Sequence, residues 1–288
     1  MARQPQIIIA CGKRGSGKSL TTIEAIFDYV KVHNRPALIF DVNDEFGSFE
    51  YKDGRQWSIK SMPLSYVAEF SNRRIAEVRR IRPYWDNNVR MTINDMSAAL
   101  GTILDSYKDG LLLVEDINKY TSDSMKRDLI GSLATIRQAG LDGVMHFQLL
   151  AKAGHPKLLG FANYIRLHKT NDSMSIYRIK NKFGDKGEII HIAEIIVSNR
   201  VQWGVQNKVN NDTGKFFSVW VDLEYLKIRG GFTKEEATDA IAQYIQIENP
   251  IPRMLKERDR KGNKIYKDYS QAYEKIEKSY FEKYFDFK

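Results

Sequence analysis

Near its start the chain reads Gly12-Lys13-Arg14-Gly15-Ser16-Gly17-Lys18-Ser19, which fits the phosphate-binding loop pattern G-x-x-x-x-G-K-[ST] at every fixed position. The apolar run Ile7–Cys11 before it predicts a buried strand, and residues 20–31 after it predict a helix. Glycines let backbone N–H groups surround phosphate oxygens, and a helix N-terminus favours negative charge. We therefore expect this stretch to bind the phosphates of ATP or GTP. A glycine-rich turn that arose by chance is the alternative.

Two residues of the loop have expected chemical roles. Lys18 should reach the outer phosphates, and the Ser19 hydroxyl should bind Mg²⁺. The other residues expected to contact the nucleotide are Gly12, Lys13, Arg14, Gly15, Ser16, Gly17 and Leu20.

The composition is that of an ordinary globular protein. At 288 residues, with 42% hydrophobic and 28% charged side chains, the chain can bury one substantial core and a small appendage. The first six residues carry no signal-peptide core, and no apolar stretch approaches the length of a membrane span. We therefore expect a cytoplasmic protein with no membrane association. The single thiol, Cys11, excludes an internal disulfide and is expected to pack within the first strand.

Four further apolar runs predict strands at residues 37–40, 111–114, 143–147 and 164–167. Helical stretches separate them, which indicates buried parallel strands with crossover helices. We expect an α/β fold with a mostly parallel central sheet sandwiched by helices. The polar residues that end each run should then gather at the carboxyl edge of the sheet, where such folds bind ligands.

The last third of the chain has a different pattern. Residues 177–221 alternate in the manner of strands, so we expect a β-rich extension at about 171–225. Thr233 and Glu236 have the spacing of a capping box at a helix N-terminus, and Asn249-Pro250 should end that helix. We therefore place the core in residues 1–230 and a small C-terminal helical appendage in residues 231–288.

Two acids directly follow the third apolar run. Glu115 and Asp116 occupy the position of the second half of the ATPase signature, in which one acid holds Mg²⁺ and the other orients or deprotonates the attacking water. Position favours Glu115 for the metal and Asp116 for the water, and the shorter reach of Asp116 leaves the reverse assignment open. The alternative is a polar strand end or a helix N-cap formed by Asp116.

These residues and three further matches resemble the FtsK/HerA superfamily of DNA-pumping ATPases. In the first, an Asp at the end of the second strand is followed four residues later by Glu and an aromatic, here Asp41, Glu45 and Phe46. In the second, residues 137–142 read Arg-Gln-Ala-Gly-Leu-Asp, similar to the family pattern R-K-x-G-I-G with the Lys and the second Gly changed. The third is Gln148, eleven positions beyond Arg137. The resemblance covers about residues 6–169.

The resemblance implies a RecA-like P-loop core that binds ATP and Mg²⁺ and works as a homo-oligomeric ring of five or six subunits. It implies that Gln148 senses the γ-phosphate, with a strand-end amide that caps a loop as the alternative. It also implies a catalytic arginine supplied by the neighbouring subunit. Arg137 and Arg166 are both candidates for that arginine, and an ordinary surface ion pair is the alternative for each.

The net charge of +9 and the isoelectric point near 9.3 favour a polyanionic partner, above all nucleic acid. Two groups of basic residues are candidates for contacts with DNA phosphates, and a solvated helix face is the alternative for the first. The first group is Arg73, Arg74, Arg79, Arg80 and Arg82, and the second is Asn118-Lys119-Tyr120, Lys126 and Arg127.

An apolar stripe marks the tail of the chain. Its members, at steps of three and four residues, lie on one face of a predicted helix: Tyr269, Tyr273, Ile276, Tyr280 and Tyr284. We expect this face to pack on the core, or else on a neighbouring subunit or a portal-like partner.

With the resemblance, these features favour an ATP-driven translocase of double-stranded DNA in viral genome packaging or DNA transfer, located in the cytoplasm or associated with a virion there. A P-loop kinase is an alternative, although it would not need Glu115, Asp116 and Gln148 together. A GTPase is disfavoured because no Asn-Lys-x-Asp motif is present. A nucleotide-gated structural protein of a virion or secretion complex, which binds ATP without turnover, is the other alternative.

Overall fold

The computed structural model describes residues 4–50, 56–117, 136–153, 156–171, 182–209 and 214–287. The strands in chain order are β1 (Ile7–Cys11), β2 (Ala37–Phe40), β3 (Ser48–Glu50), β4 (Gln56–Ser58), β5 (Val78–Ile81), β6 (Leu111–Val114), β7 (Asp142–Phe147), β8 (Tyr164–His168), β9 (Ser218–Asp222) and β10 (Lys227–Gly230). The helices are α1 (Lys18–His33), α2 (Val67–Arg73), α3 (Ile93–Ser106), α4 (Leu150–Ala153), α5 (Pro156–Phe161), α6 (Gly187–Gln206), α7 (Lys234–Glu248), α8 (Ile251–Met254) and α9 (Tyr269–Tyr284). Short 3₁₀ turns occupy Leu64–Tyr66 and Gly184–Lys186.

Eight strands form one sheet in the order β10-β9-β8-β1-β7-β6-β2-β5, and β3 pairs only with β4. The six strands from β8 to β5 in this order are parallel, and β9 and β10 extend the sheet as antiparallel strands. The predicted α/β fold with a mostly parallel sheet is confirmed, and all five predicted strands are present. Since β1 lies near the middle of the sheet, the loop after it opens near the middle of the carboxyl edge.

Burial on both faces explains why the strands are continuous apolar runs. Along β1, Ile7, Ile9 and Cys11 pack in one core layer, and Ala10 packs in the other. α1 covers the second layer with side chains such as Ile23, while α3, α6 and α7 contribute to the first. The expected packing of Cys11 is confirmed, since its side chain is fully buried.

The predicted β-rich extension is wrong over much of its length, because α6 is a helix of 20 residues within it. Of the described residues there, only those of β9 form a strand. The α6 sequence is rich in Ile and Val, which favour strands by local propensity. In the structure these side chains are buried in the core layer beside β8, β9 and α7, so tertiary packing outweighs the local preference. The division of the chain at residue 230 stays a prediction.

The predicted capping box is present at the start of α7. Thr233 N donates to Glu236 Oε2 at 2.7 Å, and Glu236 N donates to Thr233 Oγ1 at 3.3 Å. The helix ends before Asn249, which adopts the left-handed conformation with φ of 46°. Reciprocal side-chain bonds to the first turn therefore fix the beginning of this helix.

The C-terminal helix α9 packs on α7 of the same chain. The rings of Tyr280 and Tyr244 meet edge to face with centroids 5.6 Å apart. Tyr284 is 1% exposed, and its hydroxyl donates to the carboxylate of Glu188 on α6. Of the five stripe residues, only Tyr269 is exposed. The stripe therefore packs on the core, as expected, and does not offer an open face to a portal-like partner.

Candidate active site

An open cleft lies at the carboxyl edge of the sheet, above the loop that follows β1. Its volume is about 440 Å³, which is within the range of small-ligand sites. The neighbouring strands β1, β7, β6 and β2 all end at this edge. The residues that line the cleft are Lys13, Arg14, Gly15, Gly17, Lys18, Ser19, Leu20, Asn43, Glu45, Glu115, Asp116, Gln148 and Phe216.

The loop from Gly12 to Ser19 is fixed to the strands on both sides of β1. Gly12 N donates to Phe147 O at the end of β7 at 3.0 Å. Lys13 N donates to Lys169 O, just beyond β8, at 2.9 Å. The loop is thus held in one position by backbone hydrogen bonds, as required of a preformed phosphate site.

Two residues expected to contact nucleotide lie beneath the loop rather than in the cleft. Ser16 is 1% exposed, and Gly12 sits so close to its neighbours that a Cβ there would be 2.6 Å from Ser16 Oγ and 2.7 Å from His168 Cβ. Neither residue lines the cleft. Their role in the structure is the tight packing of the loop against β8.

The helix α1 starts at Lys18, two residues before the predicted start. Its N-cap, Gly17, has φ of 81°, a left-handed conformation that favours glycine. The first turn of a helix has N–H groups without helical partners, and here it borders the cleft with Lys18, Ser19 and Leu20. These groups and the helix dipole favour an anion at this position.

The Lys18 side chain is 7% exposed. Burial lowers the pKa of its ammonium, and the carboxylates of Asp116 and Glu115 oppose that shift. An ammonium with little water around it gains more from a phosphate anion than a solvated one would. The structure thus places the predicted phosphate-contacting cation in the same cleft as the two acids, with which it interacts electrostatically.

Two side-chain amides hold the carboxylate of Asp116. Gln148 Nε2 donates to Asp116 Oδ2 at 2.6 Å, and Asn43 Nδ2 donates to the same oxygen at 2.9 Å. Asp116 also has φ of 41°, an uncommon conformation for a residue with a side chain and one that recurs at functional sites. The ends of three strands therefore orient one carboxylate at the edge of the cleft.

Glu115 has a different environment, with only 1% of its surface exposed. Burial raises the pKa of its carboxyl to about 8, and the carboxylates of Asp41, Glu45 and Asp116 add to the shift. Near neutral pH the nucleotide-free protein therefore holds a proton on Glu115 to a large extent. Neighbouring acids in unequal environments are typical of sites that divide two chemical roles between them.

The side chains of the cleft fit a magnesium ion bound together with a nucleotide. No group of three or more His, Cys, Asp and Glu side chains that could hold a metal by themselves occurs among the described residues. Mg²⁺ with a nucleotide needs fewer protein ligands, since phosphate oxygens and water complete its octahedron. Ser19, Glu115 and Asp116 would supply the oxygen ligands, and the ion would neutralise charge on the phosphates.

Glu115→Gln is expected to stabilise the nucleotide-free protein strongly at pH 8 and much less at pH 5. The pKa of Glu115 in the folded protein lies above its ordinary value of 4.5, so folding takes up a proton. Wild type therefore loses stability as the pH rises from about 4.5 to about 8. The glutamine cannot ionise, so the variant does not lose this stability. The difference in the free energy of unfolding is on the order of a few kcal/mol. Urea unfolding at both pH values measures the difference.

Glu224→Gln is the matched control for this measurement, because Glu224 is exposed and lies outside the cleft. Its effect on the free energy of unfolding should be small and similar at both pH values. A difference between Glu115→Gln and wild type that does not change with pH would contradict the raised pKa.

The loop after β2 contributes two cleft residues to which no chemical role was assigned from sequence, Asn43 and Glu45. The buried carboxylate of Asp41 shapes this loop by accepting from Glu45 N at 2.9 Å and from Phe46 N at 3.0 Å. Arg80 Nη1 donates to the same carboxylate at 2.7 Å. The position of Asn43 and Glu45 after a predicted strand was a signal for a site at this edge. Their contacts, however, depend on how the loop folds.

Arg166 does not have the location that a catalytic arginine for a neighbouring subunit requires. It is 2% exposed, and burial lowers the pKa of its guanidinium to about 10. Arg166 Nη2 donates to Lys18 O at 3.3 Å and also to the hydroxyl of Thr22. His146 Nε2 lies 2.8 Å from that hydroxyl, and the Trp220 ring centroid is 5.5 Å from the guanidinium. Arg166 therefore supports the start of α1 from inside its own subunit, a location that disfavours its predicted role as a trans arginine.

Arg137 lies outside the cleft of its own subunit. Its Nη2 donates to Phe161 O at 2.7 Å and to Asn163 Oδ1 at 3.0 Å. Asn163 Oδ1 also accepts from Ile7 N at 2.9 Å, at the start of β1, so Arg137 is located at the opposite edge of the sheet from the cleft. Its assignment as an arginine that acts on a neighbouring subunit stays a prediction.

The first basic cluster predicted to contact DNA is engaged in ion pairs. Its five arginines contact carboxylates in the pairs Arg73–Glu69, Arg74–Asp109 (3.2 Å), Arg79–Glu77 (2.9 Å), Arg80–Asp41 (2.7 Å) and Arg82–Asp44 (2.8 Å). Two of them, Arg79 and Arg80, lie on β5 rather than on a helix. Arg80 therefore serves the fold of this edge of the sheet, whereas Arg73 and Arg74 form exposed pairs at the end of α2. The second group, at residues 118–127, lies outside the described residues.

No helix within the described part of the chain is long and apolar enough to cross a membrane.

Known proteins resemble the chain in structure but not in sequence. No protein-family model matches it, and no curated protein matches it. The structure is similar to the genome packaging NTPase B204 from Sulfolobus turreted icosahedral virus 2 in complex with ATP-gammaS, with 14% identity, a TM-score of 0.46, and coverage of 79% of this chain and 97% of that one. It is also similar to B204, the DNA-packaging ATPase from Sulfolobus Turreted Icosahedral Virus, with 15% identity, a TM-score of 0.48, and coverage of 79% and 97%.

A third similar structure is the Legionella pneumophila ATPase DotB, with 13% identity, a TM-score of 0.34, and coverage of 58% of this chain and 42% of that one. The first two are viral genome-packaging enzymes, a class that the sequence motifs also resemble. At these identities and scores the likeness carries no conclusion about function.

Proposed function

We propose that the protein hydrolyses ATP to move double-stranded DNA, as a subunit of a homo-oligomeric ring in viral genome packaging or DNA transfer. The observation that carries the hydrolytic part is the Asp116 carboxylate, fixed by Gln148 and Asn43 at the edge of a cleft that also holds Lys18. A carboxylate so oriented can activate water beside the terminal phosphate. An amide in contact with it can relay the presence of that phosphate to β7.

The ring and the DNA substrate rest on the resemblance of the sequence motifs and on the basic character of the chain. The trans arginine, for which Arg137 remains the candidate, belongs to the same proposal. A protein of this kind would act in the cytoplasm or in association with a virion there.

The basic loop, which we define as residues 256–267, is the DNA-contacting surface that the described residues support best. It has six basic and two acidic side chains, a net charge of +4 out of +9 for the whole chain. These eight charged side chains are all exposed. Asp259 Oδ1 accepts from Lys261 N and from Asn263 N, both at 2.8 Å, which fixes the turn. Exposed cations on an ordered turn suit sequence-independent contact with phosphates.

Duplex DNA is expected to stimulate ATP hydrolysis in the presence of Mg²⁺, and the stimulation should fall as salt rises. Phosphate release with and without DNA measures this, and mass measurement in ATP tests the ring. The triple variant Arg260→Gln, Lys261→Gln, Lys264→Gln should keep basal hydrolysis and lose DNA affinity. The slope of log affinity against log salt should become shallower by about 0.9 for each lost phosphate contact.

The matched control removes the same charge from the ion-paired cluster, as Arg73→Gln, Arg74→Gln and Arg79→Gln. It should leave the salt slope unchanged. Equal effects of the two triple variants on DNA affinity would mean that the basic loop is not a specific DNA-contacting surface. ATP binding with no phosphate release under any condition would favour a structural role instead, and transfer to a small acceptor would favour a kinase.

A further inference from the structure

We propose that Phe216 is the surface on which the base of the bound nucleotide stacks. The inference rests on the proposed nucleotide site and names a subsite within it. Phe216 belongs to the segment that leads from α6 into β9, far in sequence from the loop, and none of the sequence motifs includes it. Three observations on the topology, the contacts and the chemistry of the cleft carry the inference.

The topology places the two ends of a nucleotide on opposite sides of β1. β7 and β6, which end in Gln148 and Glu115-Asp116, lie on one side of β1, and β8 and β9 lie on the other. β9 is antiparallel to β8 and pairs Ser218 with His168, so the residues just before β9 reach the carboxyl edge. The terminal phosphate must face Asp116, so the base leaves the loop on the side where Phe216 lies.

Phe216 packs directly on the phosphate-binding loop. A Cβ on Gly17 would lie 2.6 Å from Cβ and Cγ of Phe216 and 2.9 Å from its Cδ1, so the absence of a side chain at residue 17 makes room for the ring. The next residue, Phe217, is 5% exposed, with the guanidinium of Arg200 4.9 Å from its ring centroid. Phe217 is thus anchored in the core while Phe216 is half-buried and lines the cleft.

The chemistry of Phe216 differs from that of the rest of the cleft. It is the only aromatic among the described residues that line the cleft, and most of the others are charged or polar. Every nucleobase has a π face that can stack on an aromatic ring, and the larger purines offer more contact area than pyrimidines. The phenyl ring has no hydrogen-bonding group, so this contact favours purines over pyrimidines without distinguishing adenine from guanine.

The test compares ATP, CTP and inorganic tripolyphosphate, each with Mg²⁺, by calorimetric titration. Phe216→Leu keeps an apolar side chain on Gly17 but lacks the flat ring, and Phe216→Tyr keeps the ring. The leucine variant should bind ATP about 10-fold more weakly than wild type and show a smaller preference for ATP over CTP. Its affinity for tripolyphosphate should be unchanged. The tyrosine variant should resemble wild type with all three ligands.

Phe281→Leu is the matched control, since Phe281 is a partly buried phenylalanine on α9, outside the cleft. It should leave all three affinities unchanged. Phe216→Trp gives an independent measurement. ATP should change the tryptophan fluorescence of this variant more than that of wild type, and tripolyphosphate should cause no such additional change. This variant keeps the proposal testable if the leucine protein does not fold.

Two results would overturn the stacking surface. One is wild-type ATP affinity in Phe216→Leu, and the other is an equal loss for ATP and tripolyphosphate, which would mean that the ring only shapes the loop. Both results would leave the nucleotide site itself in place. A wild-type protein that binds neither ATP nor tripolyphosphate would instead remove the proposed site.

Discussion

Lys18→Ala is expected to abolish ATP hydrolysis and most of the affinity for nucleotide. The Lys18 side chain is buried and interacts electrostatically with Glu115 and Asp116, so no solvent cation can replace it efficiently. Donors aimed at developing charge in a water-poor site are worth about 10²- to 10³-fold in rate each, and a full charge on the transferring phosphoryl group is worth at least as much. Hydrolysis should therefore fall by about 10³-fold or more.

The variant is expected to fold. Burial already lowers the pKa of Lys18, which means that the folded protein holds the charged form at a cost that alanine removes. The thermal midpoint of the nucleotide-free variant should be unchanged or raised. Phosphate release and nucleotide titration measure the functional loss.

Lys31→Ala is the control for this experiment, because Lys31 is an exposed lysine in the last turn of the same helix. It should retain wild-type hydrolysis and nucleotide affinity. Turnover at the wild-type rate in Lys18→Ala would show that the cleft at β1 is not the hydrolytic site.

The strands and the phosphate loop could be predicted because their signals are local. A run of four apolar residues between polar segments is buried on both faces of a parallel sheet, as β2 and β6 are. The acids at 115 and 116 and the amide at 148 then meet at one edge for topological reasons alone. Strand β5 was missed, since its two arginines, Arg79 and Arg80, interrupt the apolar pattern.

The helix α6 could not be predicted from local signals. Its composition does not favour a helix, and its N-terminus has no side-chain cap. Its N-cap is Lys186, whose side chain makes no capping hydrogen bond, and Ile and Val occupy most faces of its first half. A helix buried on nearly all sides has no polar face from which a period of 3.6 residues can be recognised. Its packing against the sheet and α7 determines that it is a helix.

The burial and the partners of charged residues also could not be predicted from the sequence. Arginine is usually a surface residue. In the structure, however, Arg80 contacts the buried Asp41, and Arg166 contacts Thr22 beneath the loop. The partners that bury each guanidinium are distant in sequence, by 39 residues for the first and 144 for the second. Burial of this kind depends on the assembled sheet.

The same dependence separates Glu115 from Asp116. From sequence the two acids are adjacent, and the reverse of the assignment favoured by position stayed open. In the structure burial raises the pKa of Glu115 and the neighbouring carboxylates add to the shift, whereas Asp116 accepts hydrogen bonds from two amides. A carboxylate that is held and oriented is the better candidate to direct water, which agrees with the assignment made from position.

Asp116→Asn is therefore expected to lower turnover by about 10²- to 10⁴-fold, the range for loss of a positioned general base, while nucleotide binding is retained. Asn tolerates the left-handed backbone that Asp116 adopts, so the loop should keep its shape. Phosphate release and nucleotide titration, with Mg²⁺ varied, measure the two effects. The Mg²⁺ concentration for the half-maximal rate should stay near that of wild type in Asp116→Asn and rise in Glu115→Gln, if Glu115 serves the metal.

Asp109→Asn is a matched control, because it makes the same substitution at another aspartate with positive φ (54°). Asp109 lies away from the cleft, beside Arg74. It should hydrolyse ATP at the wild-type rate. Gln148→Ala leaves Asn43 as a donor to Asp116, so its loss of turnover should be smaller than that of Asp116→Asn. A Gln148→Ala protein with the larger loss would mean that the amide, rather than the carboxylate, contacts the reacting phosphate. Wild-type turnover in Asp116→Asn would exclude Asp116 as the residue that activates water.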